Sequence, residues 1–320
     1  MSLTSVKTIK NLLQQRGSSP SRWLGQNFLV DRGAVGKIVK AAELTSSDTV
    51  LEIGPGLGVL TQELARIVKK VVAVEKDRNM VESLKETLRD HNNIEVIGGD
   101  ILKFNFLNSK FEARNSKQIP NPNNQNPKQR LEHLDLENLN LFRISNLGFR
   151  AFKLVANLPY YIVAPTIRKF LETSVQPKLM VLVVQKEVGQ RICAKPPDMN
   201  LLAVSVQFYA EPKIISYISK KSFWPSPKVD AAIIKITPKI QNIQTSGVCM
   251  FFKIVKAGFS QPRKQLINNL SRGLSMDKKK TGEWLLKNNI SPAQRAETLS
   301  IEEWIELTKS FVSNSIETRP

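Results

Sequence analysis

Short apolar runs that alternate with amphipathic helical stretches predict a mostly parallel, doubly wound α/β sheet, and a wholly helical pattern after Pro238 predicts a small all-α domain behind it. A third observation says where such a sheet holds a ligand: the first apolar run opens into the glycine-rich turn Gly54-Pro55-Gly56-Leu57-Gly58. The elements follow in order. An N-terminal arm, residues 1–25, carries a short helix near Val6–Gln15 and passes through Gly17-Ser18-Ser19-Pro20 into Gly25-Gln26-Asn27-Phe28. Val50–Ile53 is the first strand, and Val59–Val68 a helix with Leu60, Leu64 and Ile67 at helical spacing. Val71–Val74 is a continuous buried strand closing on Glu75, after which Asp77 is positioned to cap a helix running to about Arg89. Ile94–Ile97 is the third strand and leads into Gly99-Asp100. Phe152–Ala156 and Leu179–Val184 are the fourth and fifth, with a helix near Ala164–Leu171 between them. Two later runs, about Lys213–Tyr217 and Val229–Ile236, have no helix between them and read as an antiparallel hairpin finishing the sheet. Helices at about Val248–Phe259, Arg263–Arg272, Thr281–Asn288 and Ile301–Ser313 complete the chain, which gives domains at 1–240 and 241–320.

One connection does not fit. Between Asp100 and Asn157 the chain is far longer than an α/β unit needs, and 10 of the 13 residues from Asn115 to Pro127 are Asn, Gln or Pro. Residues 108–150 are therefore expected to be a largely disordered insertion, with a short helical piece near 129–139.

Composition narrows the function classes. With 41% apolar and 23% charged residues the chain is an ordinary globular one, and its longest apolar run is too short to cross a bilayer. No secretory signal is expected at its start. Cys193, Cys249, His91 and His133 are each isolated, so neither a disulfide framework nor a metal site is expected, and a reducing cytoplasm fits. The net charge of +19 is unevenly spread: residues 50–107 carry 8 basic and 9 acidic groups, while every flanking segment is basic. That distribution points to a polyanion docking around a neutral ligand-binding segment.

Two motifs carry chemistry. Glu52 leads into the glycine turn, Glu75 closes the second strand 21 residues after Gly54, and Asp100 follows the third strand. A carboxylate at Glu75 suits the two hydroxyls of a ribose, and one at Asp100 suits an adenine amine. A dinucleotide fingerprint would need a third glycine where Val59 stands, so the turn instead resembles the S-adenosylmethionine turn of Rossmann-like methyltransferases. The second motif is Asn157-Leu158-Pro159-Tyr160, the kind of tetrapeptide with which amino-methyltransferases hold an exocyclic amine. The Asn157 side-chain oxygen and the Leu158 carbonyl would accept from the amine, Pro159 removes a backbone donor, and Tyr160 would stack on the base. Phe223 reads equally as a cover for the opposite face of that base or as a packed turn residue.

Together with Gly25-Gln26-Asn27-Phe28-Leu29-Val30-Asp31, Phe223-Trp224-Pro225-Ser226-Pro227-Lys228-Val229-Asp230 and Phe259-Ser260-Gln261-Pro262-Arg263-Lys264-Gln265-Leu266, these motifs resemble, in order, the ribosomal small-subunit RNA adenine dimethyltransferases of the kasugamycin-resistance type. The resemblance implies a Rossmann-like class I methyltransferase with a mostly parallel seven-stranded sheet. It implies S-adenosylmethionine as cofactor, held by Asn27, Leu29, Gly54, Gly56, Glu75, Asp100 and Asn157, and no metal. It implies dimethylation of two adjacent adenines in a hairpin loop near the 3′ end of small-subunit RNA, by a monomer acting on a pre-assembled ribosomal particle. Lys220, Lys221, Lys228, Arg263, Lys264, Arg272 and Lys278-Lys279-Lys280 would contact phosphates collectively. Two features depart from the family: Pro262 stands where a basic residue or Asn is usual, and the 108–150 insertion is absent there. The rival readings are the large-subunit macrolide-resistance methyltransferase, which typically has Ile where Leu158 stands, and a non-catalytic nucleic-acid-binding relative, which has no need of Glu75 and Asn157–Tyr160.

Overall fold

The structure, a computed structural model, describes residues 3–21, 23–104, 151–173, 175–239 and 245–317. The expected insertion at 108–150, with its helical piece, lies outside the described residues. The chain divides into two compact units, Met1–Lys186 with Ile214–Pro238 and Glu187–Lys213 with Lys239–Pro320. The helices of 187–213 thus group with the C-terminal helices, although their place in the sequence puts them before residue 240.

The strands are β1 (Phe28–Leu29), β2 (Thr49–Ile53), β3 (Lys70–Glu75), β4 (Ile94–Gly98), β5 (Lys153–Asn157), β6 (Leu179–Gln185), β7 (Ala210–Ile218), β8 (Phe223–Trp224) and β9 (Ala231–Pro238). Seven form one sheet in the order β4-β3-β2-β5-β6-β9-β7. Its first five strands are mutually parallel and β9 runs antiparallel to β6, so the mostly parallel seven-stranded sheet is the one predicted. The continuous apolar runs explain the parallel pairing. Val71–Val74 and Leu179–Val184 are buried throughout, as strands covered by helices on both faces must be. The covering helices start where short acceptors cap them. Asp31 accepts from the Gly33 and Ala34 N–H groups at the head of Arg32–Ala41, and Asp77 from Asn79 N–H at the head of Arg78–Thr87. The helix Val59–Ala65 is shorter than its apolar spacing suggests, because Val68 still packs into the core after the helix has ended.

The pair β1–β8 was not legible in the sequence. It matches Phe28 to Trp224 and Leu29 to Phe223, and Val30 N–H continues onto the Ser222 carbonyl at 2.9 Å. Ser222 Oγ donates to Asp31 Oδ2 at 2.7 Å. These two short motifs, almost 200 residues apart, are therefore one structural piece. The N-terminal helix Val6–Gln15 packs Ile9, Leu12 and Leu13 into a cluster with Phe28, Leu57 and Met80 beneath it.

In the second unit the helices Lys186–Ile192 (from Glu187), Leu201–Tyr209, Thr245–Gly258, Leu266–Gly273, Lys278–Lys287 and Ile301–Glu317 enclose a core around Phe208, Phe251 and Trp304. A Cβ at Gly258 would overlap the buried Trp304 indole, so only glycine permits that approach. Asn269 Nδ2 donates to the Gly258 and Gln261 carbonyls at 2.6 and 3.0 Å, satisfying the end of one helix from inside the next. Lys278–Lys287 begins earlier than its apolar pattern implies because Asp277 accepts from Lys279 and Lys280 N–H.

Asp31 caps a helix and anchors the β1–β8 piece at once. Replacing Asp31 by Ala is expected to cost about 1–2 kcal/mol of unfolding free energy in urea titration, with Asn recovering much of it. Identical midpoints for wild type and Asp31→Ala would refute the double role.

Candidate active site

Parallel pairing brings the C-terminal ends of β2, β3 and β5 and the segment after β4 to one edge of the sheet, where a cavity opens. Its walls include Asn27, Leu29, Gly54, Gly56, Glu75, Asp100, Asn157, Leu158, Pro159, Tyr160 and Phe223. Every residue that the sequence assigned to a cofactor or to a target amine thus lies on one cavity. The glycine turn has φ +66° at Gly54, +59° at Gly56 and +89° at Gly58, a left-handed path that a side chain would strain. Glu75 knits that turn to its own strand end: Oε2 accepts from Gly56 N–H at 3.1 Å and Oε1 from Asp77 N–H at 2.9 Å.

Asn157 ends β5, and Leu158 is buried with its N–H on the Val183 carbonyl at 3.3 Å. The Pro159 carbonyl accepts from Ile162 N–H and starts the single turn Tyr160–Ile162. Asn157 Nδ2 donates to the Asn27 main-chain carbonyl at 3.1 Å, so its Oδ1 is the atom left to accept a further hydrogen. Asn27 Nδ2 in turn donates to the Gly25 carbonyl. Gly25, at φ +62°, lies so close to Pro159 that a Cβ there would come within 3.3 Å of the ring. Phe223 is 5% exposed, packed in the core and on the cavity wall at once.

Electrostatically the cavity holds its acids in different states. Burial pushes Glu52 up to about 8, with the neighbouring Glu75 charge adding to the shift. Burial also raises Glu75. At Asp100 burial pulls upward, but Lys76 Nζ at 2.9 Å and the Leu102 N–H outweigh it and hold the carboxyl below its usual range.

Two observations fit S-adenosylmethionine, a cationic ligand carrying an adenosine. Glu52 Oε2 is buried with no hydrogen-bond partner among the described residues, a polar atom awaiting one. At Gly54 a Cβ would meet nothing nearer than Pro159 Cδ at 4.0 Å, so the cavity floor is open where a side chain would fill it. Glu75 and Asp100 add further carboxylate oxygens to the same wall.

Lys76, on the cavity wall and paired with Asp100, and Gln26, whose Nε2 donates to Asp77 Oδ2 at 2.8 Å, went unnoticed in the sequence. A lysine following a strand-end glutamate gives no signal of its partner. Lys220, Lys221 and Lys228 are exposed on the first unit, and Arg263, Lys264 and Arg272 on the second. Arg263 and Lys264 precede their helix rather than open it, since Gln265 is its cap. Among the described residues no group of three or more His, Cys, Asp or Glu could hold a metal, and no helix is long and apolar enough to cross a membrane.

A strand-end acid, a left-handed glycine turn and an amide-bearing loop at the switch edge of a parallel sheet define an S-adenosylmethionine-dependent methyltransferase. More particularly, the chain belongs to the ribosomal RNA adenine dimethylase family, whose profile matches residues 18–312. It is 37% identical to ribosomal RNA small subunit methyltransferase A of Dehalococcoides mccartyi, over 95% of this chain and 93% of that one. It is 36% identical to the protein of the same name from Clostridioides difficile, over 99% and 98%. Among solved structures it is similar to a dimethyladenosine transferase from Plasmodium falciparum, with a TM-score of 0.65 and 25% identity over 90% of this chain and 98% of that one. The 23S rRNA methyltransferase ErmE shares the fold, with a TM-score of 0.64 and 23% identity over 89% and 99%.

Glu52 generates a pH prediction. Its folded pKa of about 8 lies above the ordinary 4.5, so its neutral form favours folding at low pH, and that stability is lost as pH rises from about 4.5 through about 8. Melting temperatures of the ligand-free protein should fall more steeply between about pH 5 and 8 for wild type than for Glu52→Gln. Parallel curves would show that Glu52 is not buried as an acid.

Proposed function

We propose that this enzyme dimethylates N6 of two adjacent adenines in a hairpin loop near the 3′ end of small-subunit ribosomal RNA during ribosome biogenesis. The names of the Dehalococcoides and Clostridioides relatives support the small subunit. The likeness to ErmE is one of fold, and Leu158 stands where the macrolide-resistance enzymes typically carry Ile. We further propose a monomer acting in the cytoplasm on a pre-assembled particle, whose phosphates the exposed cations would contact.

One observation carries the chemistry: Asn157 gives its NH2 to the Asn27 carbonyl and keeps Oδ1 as an acceptor on the cavity wall. When bound, S-adenosylmethionine supplies a methyl group on a sulfonium, already activated for direct displacement. The chain's part is to position and polarise. An adenine N6 lone pair is delocalised into the ring, and acceptance of its hydrogens, two before the first transfer and one before the second, by Asn157 Oδ1 and the Leu158 carbonyl favours the tetrahedral shape that attacks. Pro159, lacking an N–H, leaves no competing donor at that point. Tyr160 stacks on the base and Phe223 backs it. The base reaches them only when it is extruded from its stack or already unpaired. Glu75 and Asp100 hold the donor's ribose and adenine, Asn27 and Leu29 close over its methionine end, and the surplus proton departs to water.

Labelled S-adenosylmethionine should mark small-subunit particles that lack the modification, and not protein-free large-subunit RNA. Label confined to the latter would overturn the substrate. Asn157→Ala should lose at least about 100-fold in turnover and far less in donor affinity measured by calorimetry. Equal losses in both would mean that Asn157 serves the donor alone. Removing Lys220, Lys221, Arg263 and Lys264 together should weaken particle binding and flatten its dependence on salt concentration. An unchanged slope would clear those cations of phosphate contact.

A further inference from the structure

We propose that Trp23 is a stacking residue for an unpaired RNA base next to the target adenine; this rests on the RNA-methylating reading above. The chain has four tryptophans. Trp284 and Trp304 are buried in the second unit's core, and Trp224 stacks on Phe28 with ring centroids 6.5 Å apart. Trp23 is 81% exposed. A single exposed apolar side chain is ordinary on a protein surface. Three features set this one apart.

The turn beneath it is closed. Ser21 N–H donates to Gln26 Oε1 at 2.8 Å, Gln26 N–H to the Ser21 carbonyl at 3.1 Å, and Leu24 N–H to Ser21 Oγ at 3.2 Å. The same Gln26 side chain is fastened to Asp77 beyond β3, so the indole is presented on a tethered loop. Next, the ring carries a cation. Lys76 Nζ lies 5.6 Å from its centroid and is itself anchored on Asp100 at 2.9 Å. Finally, the ring adjoins residues of the cavity wall. Leu24 and Gly25, the next two residues, line it, as do Lys76 and the half-exposed Tyr161. Gly25 in turn abuts Pro159 of the amine-holding loop.

An outward aromatic ring with an anchored ammonium at its face is the chemistry that captures an unstacked base and its phosphate. Drawing one adenine out of a hairpin loop strips its neighbour of a stacking partner. Trp23 replaces that partner at the point where the RNA enters the cavity, and Lys76 faces the adjoining phosphate. The residue is a positioning one: it holds the strand and does not touch the reacting atoms.

Trp23→Ala and Trp23→Phe, in the full chain, test this by steady-state methylation of small-subunit particles lacking the modification, with S-adenosylmethionine binding followed by calorimetry on the same preparations. The alanine variant should raise KM for the particle roughly 5- to 30-fold, leave kcat within about twofold and leave donor affinity unchanged, and phenylalanine should restore most of the KM. An unchanged KM overturns the proposal. So does weakened donor binding with an unchanged particle KM, which would assign the ring to the donor's adenosine. A wild type inactive on particles would instead sink the functional reading on which the proposal rests.

Discussion

The parallel pairing of β2 with β3 and β5 is the constraint on which the site depends. Register matches Ile53 to Val74 on one side and to Ala156 on the other, so the residues that follow each strand emerge at the same level of the same edge. Gly54, Glu75 and Asn157 are neighbours for that reason alone. One residue of slip would turn each of them to the opposite face of its strand. The continuous burial of the central strands holds the register, because helices cover both faces and no slipped pairing keeps the same side chains inside.

The acids gathered there do different work according to what faces them. At Glu52 burial, helped by a like charge, outweighs the Thr61 hydroxyl, so it stays protonated near neutrality. Glu75 is as deeply set, yet two backbone N–H groups face its oxygens and make it part of the turn. Asp100 has an ammonium and remains charged. Carboxylate chemistry in this cavity is therefore suited to holding a ligand. A methyl transfer that needs acceptors rather than a strong base requires no more of the protein.

Much of the site was legible in the sequence because strand ends announce themselves. Apolar runs stop, glycines or carboxylates follow, and a parallel sheet brings every such stop to one edge. Asp77 was equally readable as a cap, since a cap acts on amides two or three residues away. The pairing of Phe28 with Trp224 was not, because a two-residue strand has no period and its partner lies almost 200 residues off. The helices between Glu187 and Lys213 escaped for a related reason: Leu201–Tyr209 is apolar on nearly all sides and shows no amphipathic face. Lys76 was silent because its meaning comes from Asp100 and Trp23, both reached only through the fold.

The bond from Asn157 to the Asn27 carbonyl joins the segment proposed to close over the donor to the loop proposed to hold the adenine. Such a link makes the two binding events partners in one equilibrium. Whatever fixes residues 25–29 also orients the amide that must meet the adenine, and whatever engages that amide steadies the closed segment. Linkage makes the effect reciprocal. On that proposal an empty donor pocket would offer the RNA a less organised loop, which would work against holding a base that cannot be methylated.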